Sequence, residues 1–311
     1  MPSPVNLNAT LEARELLDTI YQVSGLRVLS GQHNTPRDMS FFSEEAHRIT
    51  GSYPSVWGQD FGFAKDGDMD GVNYRQAIVD EAKKQHKAGS IITLMWHAVR
   101  PTEEEPVTFL DSICAGQLAE ADWQELLTPG SATHTRWLDQ VDLIAMFLGQ
   151  LRDASIPVLW RPYHEMNGNW FWWGGREGND GYTALYRQLY DRFVTVHNLN
   201  NLIWVWNANA PRGDASGYAG FFPGYDVVDI LAADVYANDY RQSHHDDLRA
   251  LANNRPIALG EVGIVPTAEI LEAQPHWAWF MIWRTFINDE NDPDAVRRLF
   301  ASPRVLSRGG E

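Results

Sequence analysis

One cysteine, Cys114, occurs in 311 residues. No intrachain disulfide can form and no cysteine-rich metal centre can be built; a lone thiol of this kind reads as buried and inert. Basic residues are scarce: 25 Lys and Arg against 41 Asp and Glu leave a formal net charge of −16. That balance argues against nucleic acid and against an anionic membrane surface, which both need a basic face. No apolar run approaches the ~20 residues of a membrane-spanning helix. The opening MPSPVNLNAT lacks the basic stretch and apolar core of a signal peptide. No Gly-rich phosphate loop follows the first apolar run, which continues SGQHNTPRD; this weakens an open, doubly wound sheet. With no repeat, low-complexity tract or long linker, residues 1–311 read as one domain.

What is abundant is apolar and aromatic. The hydrophobic fraction is 44%, and 13 residues are Trp. Eight short runs are almost continuously apolar: Leu26–Ser30, Pro54–Gln59, Ile91–His97, Ile156–Tyr163, Leu202–Asn207, Val228–Tyr236, Pro256–Glu261 and Trp277–Trp283. Parallel strands covered on both faces have this pattern. Helical spacing lies between them. Trp137, Val141, Ile144, Leu148 and Leu151 mark one face of a helix. Tyr74–Ala88 reads as another, stopped by Gly89. Asp180 is expected to cap a third, running to about Val196. The Gly- and Pro-rich stretch Ala208–Gly224 promises little helix. Strands alternating with helices predict an α/β fold, a single (β/α)8 TIM barrel. The long segment Arg100–Pro129 is expected to help build its cleft.

In such a barrel the chemistry lies at the C-terminal ends of the strands. Those ends read Gln59-Asp60, Trp96-His97, Arg161 to Glu165, Trp206-Asn207, Asp234 to Tyr236, Gly260-Glu261 and Trp283-Arg284. Two of them deliver a glutamate, Glu165 from the fourth run and Glu261 from the seventh, facing one mouth from opposite sides. A pair of carboxylates across a cleft is the minimum kit for glycoside hydrolysis, one protonated and the other ionised. Tryptophan faces suit the apolar faces of sugar rings. The plainer reading of either glutamate is a buried ion pair with an arginine. Trp172, Trp173 and Trp206 fit a core lid as well as a sugar contact.

The run RPYHEMNGNWFWWG resembles the acid/base segment of glycoside hydrolase family 26 in clan A, a family dominated by β-1,4-mannanases. The resemblance continues through SGQ at 30–32, LMWH at 94–97, DVY at 234–236, GEVG at 260–263 and FMIW at 280–283. Its most specific element is the His-Glu pair, since most clan A families carry Asn before that Glu. The resemblance implies Glu165 as acid/base and Glu261 as nucleophile. It implies His164 on the sugar 2-hydroxyl or orienting the nucleophile, with Tyr236 touching the nucleophile. It makes Arg161 the cation holding Glu261 ionised, with Asp234 in support. His97 and Trp283 would surround the sugar being cleaved, Trp170 would be a platform next to the scissile bond, and Arg284 would lie on the glycone side. The family often has an aromatic residue shortly after the nucleophile; here the run is VGIVP.

The expected activity is therefore a retaining endo-β-1,4-mannanase acting on mannan, glucomannan or galactomannan, with no cofactor and no metal. The partner is the polysaccharide; nucleic acid and membrane are not expected. Alternatives are a β-1,3/1,4-glucanase or xylanase on the same site, or a non-catalytic carbohydrate-binding barrel. A polymer too large to enter a cell implies a secreted or periplasmic enzyme. Asp66, Asp68 and Asp70 match the first half of a calcium loop, but its twelfth position is Ala77 rather than Glu. His244-His245 reads as a solvated helix start.

Overall fold

A computed structural model describes residues 2–62 and 70–310. Asp66, Asp68 and the side chain of Asp70 lie outside the described residues, and so does the calcium-loop expectation.

Eight strands follow the predicted order: β1 Val28–His33, β2 Val56–Asp60, β3 Ile91–Trp96, β4 Val158–Pro162, β5 Leu202–Asn209, β6 Ile230–Val235, β7 Ile257–Val262 and β8 Trp277–Ile282. Each pairs in parallel with the next, and β1 pairs with both β2 and β8, so the sheet closes. A short β9, Val305–Leu306, adds to β1 from outside the ring. The fold is a (β/α)8 barrel, as the alternation of runs predicted. The first strand begins and ends later than expected, which brings Gln32 and His33 into it.

Strand side chains alternate between two cores. Trp57, Leu94, Trp160, Trp204, Leu231 and Phe280 face the helices. Leu29, Val56, Leu159, Ile203, Ile230, Ala258 and Trp279 belong to the other core and fill the lumen. The lumen is plugged from below by a helix absent from the sequence expectations, Leu11–Val23. Its buried Ala13, Leu16, Leu17 and Ile20 step by three, one and three, and Thr10 caps it by accepting from the Ala13 N–H. Full burial of each Leu or Ile stabilises the fold by roughly 1.5–3 kcal/mol, enough to hold a helix of only 13 residues.

The helix Ala132–Asp153 buries the expected Trp137, Val141, Ile144, Leu148 and Leu151. Arg75–Lys87 ends just before Gly89, as predicted. The Asp180 cap is not observed: that helix starts at Tyr182 with Gly181 at its cap, and the Asp180 carbonyl accepts from the Trp123 indole instead. After β5 there is only a 3₁₀ turn at Ala219–Phe221. His244 and His245 are buried rather than solvated, because the ring of His245 packs against Trp277 and His244 faces Asp239.

One irregularity positions the site. Between β6 and β7, Ala233 pairs with Leu259 and the next residue, Asp234, pairs with Glu261. Gly260 is thus an extra residue in β7, and on the β8 side Leu259 and Val262 likewise span only Phe280 to Ile282. Strict alternation from the lumen-facing Ala258 would point Glu261 toward the helices. The added residue restores it to the lumen side.

Candidate active site

The lumen-facing rows continue upward into the barrel mouth: His33 above Leu29 on β1, Asp60 above Val56 on β2, Arg161 above Leu159 on β4, Asn207 above Val205 on β5 and Asp234 above Ala232 on β6. Beyond β4 the chain needs both His164 and Glu165 at the mouth, which alternation forbids. Two left-handed residues solve this, Tyr163 at φ +47° and Glu165 at φ +53°. Each costs of order 1–3 kcal/mol and persists only where neighbours over-determine it. Here the Trp137 indole donates to the Tyr163 hydroxyl at 2.8 Å, the Trp173 indole to the His164 carbonyl at 2.7 Å, and the Glu165 N–H to the Asn207 carbonyl at 2.8 Å.

Glu261 is buried and surrounded by donors. Arg161 Nη2 donates to Oε1 at 3.0 Å and the Tyr236 hydroxyl to Oε2 at 2.6 Å, while His164 Nε2 stands 4.0 Å from Oε1. Charge-assisted bonds of this kind suit an ionised carboxylate. Arg161 is itself braced by Asn207, whose Oδ1 accepts from Nη1 at 2.6 Å. A Cβ at position 260 would lie 1.8 Å from that Oδ1, so only glycine fits there.

Glu165 differs in every respect. It is half-buried, and its Oε2 accepts from the Trp170 indole at 2.8 Å. Burial and the charge of Glu261 push its carboxyl up to about 8, against the opposing pull of the Trp170 bond and Arg161. Asp234 is fully buried, 3.7 Å from Arg161 Nη1, with no hydrogen bond at normal geometry to either oxygen. Burial first, then the charges of Glu261 and Glu165, push it well above the usual carboxylate range, against the pull of Arg161 and Asn207. One oxygen each from Glu165, Asp234 and Glu261 falls within 4.8 Å of the others. Among the described residues this is the one group of potential metal ligands so close together, but the Arg161 guanidinium already serves two of its three members as counter-charge.

These groups open into a cavity of about 520 Å³ lined by His97, His164, Glu165, Tyr236, Glu261, Trp283 and Arg284, with Phe109 and Phe171 beside them. Seven of the residues expected from sequence therefore meet there, with Arg161 and Asp234 beneath. Trp170 stands at the rim beside Glu165, its ring laid over Gly168, where a Cβ would be 2.1 Å away. Trp172, Trp173 and Trp206 are core residues, wholly buried with their indole N–H groups bonded to the carbonyls of Ala98, His164 and Phe221.

The structure gives roles to Asp60 and Asn207, which the sequence placed at strand ends without a role, and to His33, which it missed. Asp60 Oδ2 lies 2.5 Å from His97 Nδ1 and its Oδ1 accepts from the His97 and Gly62 N–H groups, which fixes the ring. Asn207 braces Arg161, and His33 stacks on Trp283. Counting every second residue up each strand would have flagged all three. Phe109, in the long segment after β3, and Phe171 close the wall around His97 at ring distances of 5.4 and 5.3 Å.

No helix among the described residues is long and apolar enough to cross a membrane. Residues 5–310 match the model of Glycosyl hydrolase family 26. A mannan endo-1,4-β-mannosidase of Thermothelomyces thermophilus is 35% identical over 97% of this chain and 62% of that protein. The chain spans about half to three-fifths of the length of this and the next two curated relatives, both from Piromyces. The solved GH26A structure from a Muricauda species aligns over 98% of this chain and 99% of that one, at 45% identity and a TM-score of 0.94. A β-mannanase from a symbiotic protist of the termite Reticulitermes speratus, complexed with gluco-manno-oligosaccharide, aligns over 99% and 98% at 27% identity and a TM-score of 0.85. This chain belongs to glycosyl hydrolase family 26.

Proposed function

We propose that the protein is a retaining endo-β-1,4-mannanase, with Glu165 as acid/base and Glu261 as nucleophile. The observation that carries this reading is the contrast between two carboxylates facing one cavity: Glu261 held among donors, Glu165 pushed up to about 8. Glu165 protonates the departing glycosidic oxygen as Glu261 attacks the anomeric carbon and forms a glycosyl-enzyme. Glu165, now ionised, takes a proton from water, which attacks the same carbon and releases Glu261. Retaining enzymes hold their carboxyl groups about 5–5.5 Å apart and inverting ones about 6.5–9.5 Å. One oxygen of Glu165 lies within 4.8 Å of one oxygen of Glu261, an approach compatible with the shorter separation. The arriving sugar stacks on Trp283, with His97 and His164 at its hydroxyls, Arg284 toward the glycone and Trp170 as a platform at the leaving side. The chemistry draws on no cofactor or metal.

The relatives named mannan endo-1,4-β-mannosidases and the gluco-manno-oligosaccharide complex support β-mannan, with glucomannan and galactomannan as further substrates. A polymer of that size places the working enzyme outside the cell or in the periplasm. The test is release of reducing ends from mannan, glucomannan, galactomannan, mixed-linkage glucan and xylan, beside Glu261→Ala. Products of intermediate length should come first from the mannans, and NMR of the first turnovers should show the β-anomer. Release only from mixed-linkage glucan or xylan would move the substrate, and an α-anomer would overturn the retaining mechanism.

Because Glu165 must carry its proton to act, activity should fall as pH rises through about 8. The Trp170 bond favours the ionised form, so Trp170→Phe should move this basic limb upward. A limb that stays in place would separate it from Glu165.

A further inference from the structure

Trp283 walls the cavity, and its backbone N–H is tied to the Val262 carbonyl at 2.9 Å. The indole itself leans on a second ring. The imidazole of His33 lies behind it with centroids 4.3 Å apart and planes tilted by 34°. Beside His33, paired with it on β2, is Gly58, where a Cβ would approach the imidazole Cδ2 to 2.9 Å and the His33 Cα to 3.3 Å. His33 does not line the cavity and is 1% exposed, so the indole stands between it and any sugar.

We propose that His33 is the positioning residue of the Trp283 sugar platform: a flat ring wedged between the Gly58 backbone and the indole, setting the angle at which Trp283 meets a sugar ring. The inference rests on the reading of the cavity as a carbohydrate site and deepens it. Neither ring nitrogen of His33 makes a hydrogen bond of normal geometry among the described residues, although the backbone of Asn34 lies near enough to favour the charged ring. A wholly apolar side chain would fill the same space without leaving a buried N–H unsatisfied, so fold stability alone does not account for a histidine here. What the imidazole offers is the shape of a compact aromatic plate. Burial first, then the neighbouring charges of Arg161 and Arg284, hold it well below the usual imidazole range, so it meets the indole as a neutral ring. Aromatic pairs of this kind prefer offset or tilted faces, which fixes both separation and angle. Gly58 completes the device, since any side chain there would crowd the plate that touches Trp283.

The role predicts a division of effects. His33→Ala removes the plate and lets the indole tilt away, so KM for β-1,4-mannohexaose should rise about 5–10-fold, the factor that an aromatic contact commonly controls. The turnover number should stay within about twofold, because the wedge touches neither Glu165 nor Glu261. His33→Phe, which keeps a flat ring, should recover most of the lost affinity. Calorimetry with mannotetraose in a Glu261→Ala background reads the same effect as binding alone. Gly58→Ala reaches the platform by another route and should raise KM in the same direction. A folded His33→Ala protein with unchanged KM would overturn the proposal, and so would His33→Phe binding as weakly as His33→Ala. If His33→Ala does not fold, Gly58→Ala decides, and an unchanged KM there has the same force. A wild-type protein inert on every β-mannan would instead overturn the mannan reading, and the variants would then be compared by calorimetry with cello-oligosaccharides.

Discussion

Glu261→Ala will lower kcat on β-mannan by on the order of 10³-fold or more, equivalent to about 4 kcal/mol of transition-state stabilisation. The loss is large because covalent catalysis has no substitute in this cavity. Asp234 is fully buried below the floor, and in the proposed mechanism Glu165 is committed to the leaving group. The variant also leaves a defined vacancy in front of two committed donors, Arg161 and Tyr236. A small anion can occupy it. With an aryl β-mannoside whose leaving group needs no proton, azide should restore turnover in Glu261→Ala and give the α-mannosyl azide, since it attacks from the face the glutamate occupied. The matching Glu165→Ala variant should form its glycosyl-enzyme normally with the same substrate. Azide should then give the β-mannosyl azide, by attack from the opposite face. The two stereochemistries assign the two roles independently of rate. Identical products from both variants, or no azide product from either, would end the assignment.

Arg161→Met should be the most damaging substitution for stability among the site residues. The guanidinium is 1% exposed and is the cation bonded to Glu261, with Asp234 3.7 Å away. Removing one partner of a buried ion pair costs about 3–5 kcal/mol, because the remaining charge is left uncompensated. The protein's way out is to take up protons on the cluster, which gives the effect a pH signature. A carboxyl whose folded pKa is raised above its unfolded value binds more protons in the native than in the unfolded state. Its contribution is present at low pH and is lost as pH rises toward the folded pKa. The gap in Tm between wild type and Arg161→Met should therefore widen between pH 5 and pH 8. A gap that is constant with pH would mean that lost packing, not lost charge, explains the damage.

The barrel was legible because parallel strands buried on both faces leave unbroken apolar runs, and eight such runs close into one ring. The seven cavity residues were legible because chemistry gathers at the ends of those runs, and the family resemblance assigned them roles. Errors arose where geometry outran pattern. The helix Leu11–Val23 was missed although Ala13, Leu16, Leu17 and Ile20 carry its spacing, because it precedes the first strand and has no place in the strand-helix alternation. Ending the first strand at Ser30 instead of His33 hid the support of Trp283. Asp180 lost its expected cap to Gly181 because its carbonyl was committed to Trp123. The bulge at Gly260 left only a faint signal, a glycine inside an apolar strand run, since register belongs to pairs of strands and not to one of them.

That bulge makes the direction of the nucleophile a matter of parity. From Ala258 onward an even count of regular residues reaches the lumen and an odd count reaches the helix layer. Glu261 lies at an odd count and is inside only because Gly260 goes unpaired. A register slip that paired Gly260 with Asp234 would leave the composition of the strand unchanged and send the carboxylate among the helices. Anyone transplanting this half-site into another barrel has to keep residue 260 unpaired for the glutamate to face inward, and that residue has to be a glycine, because Asn207 already occupies the space of a Cβ.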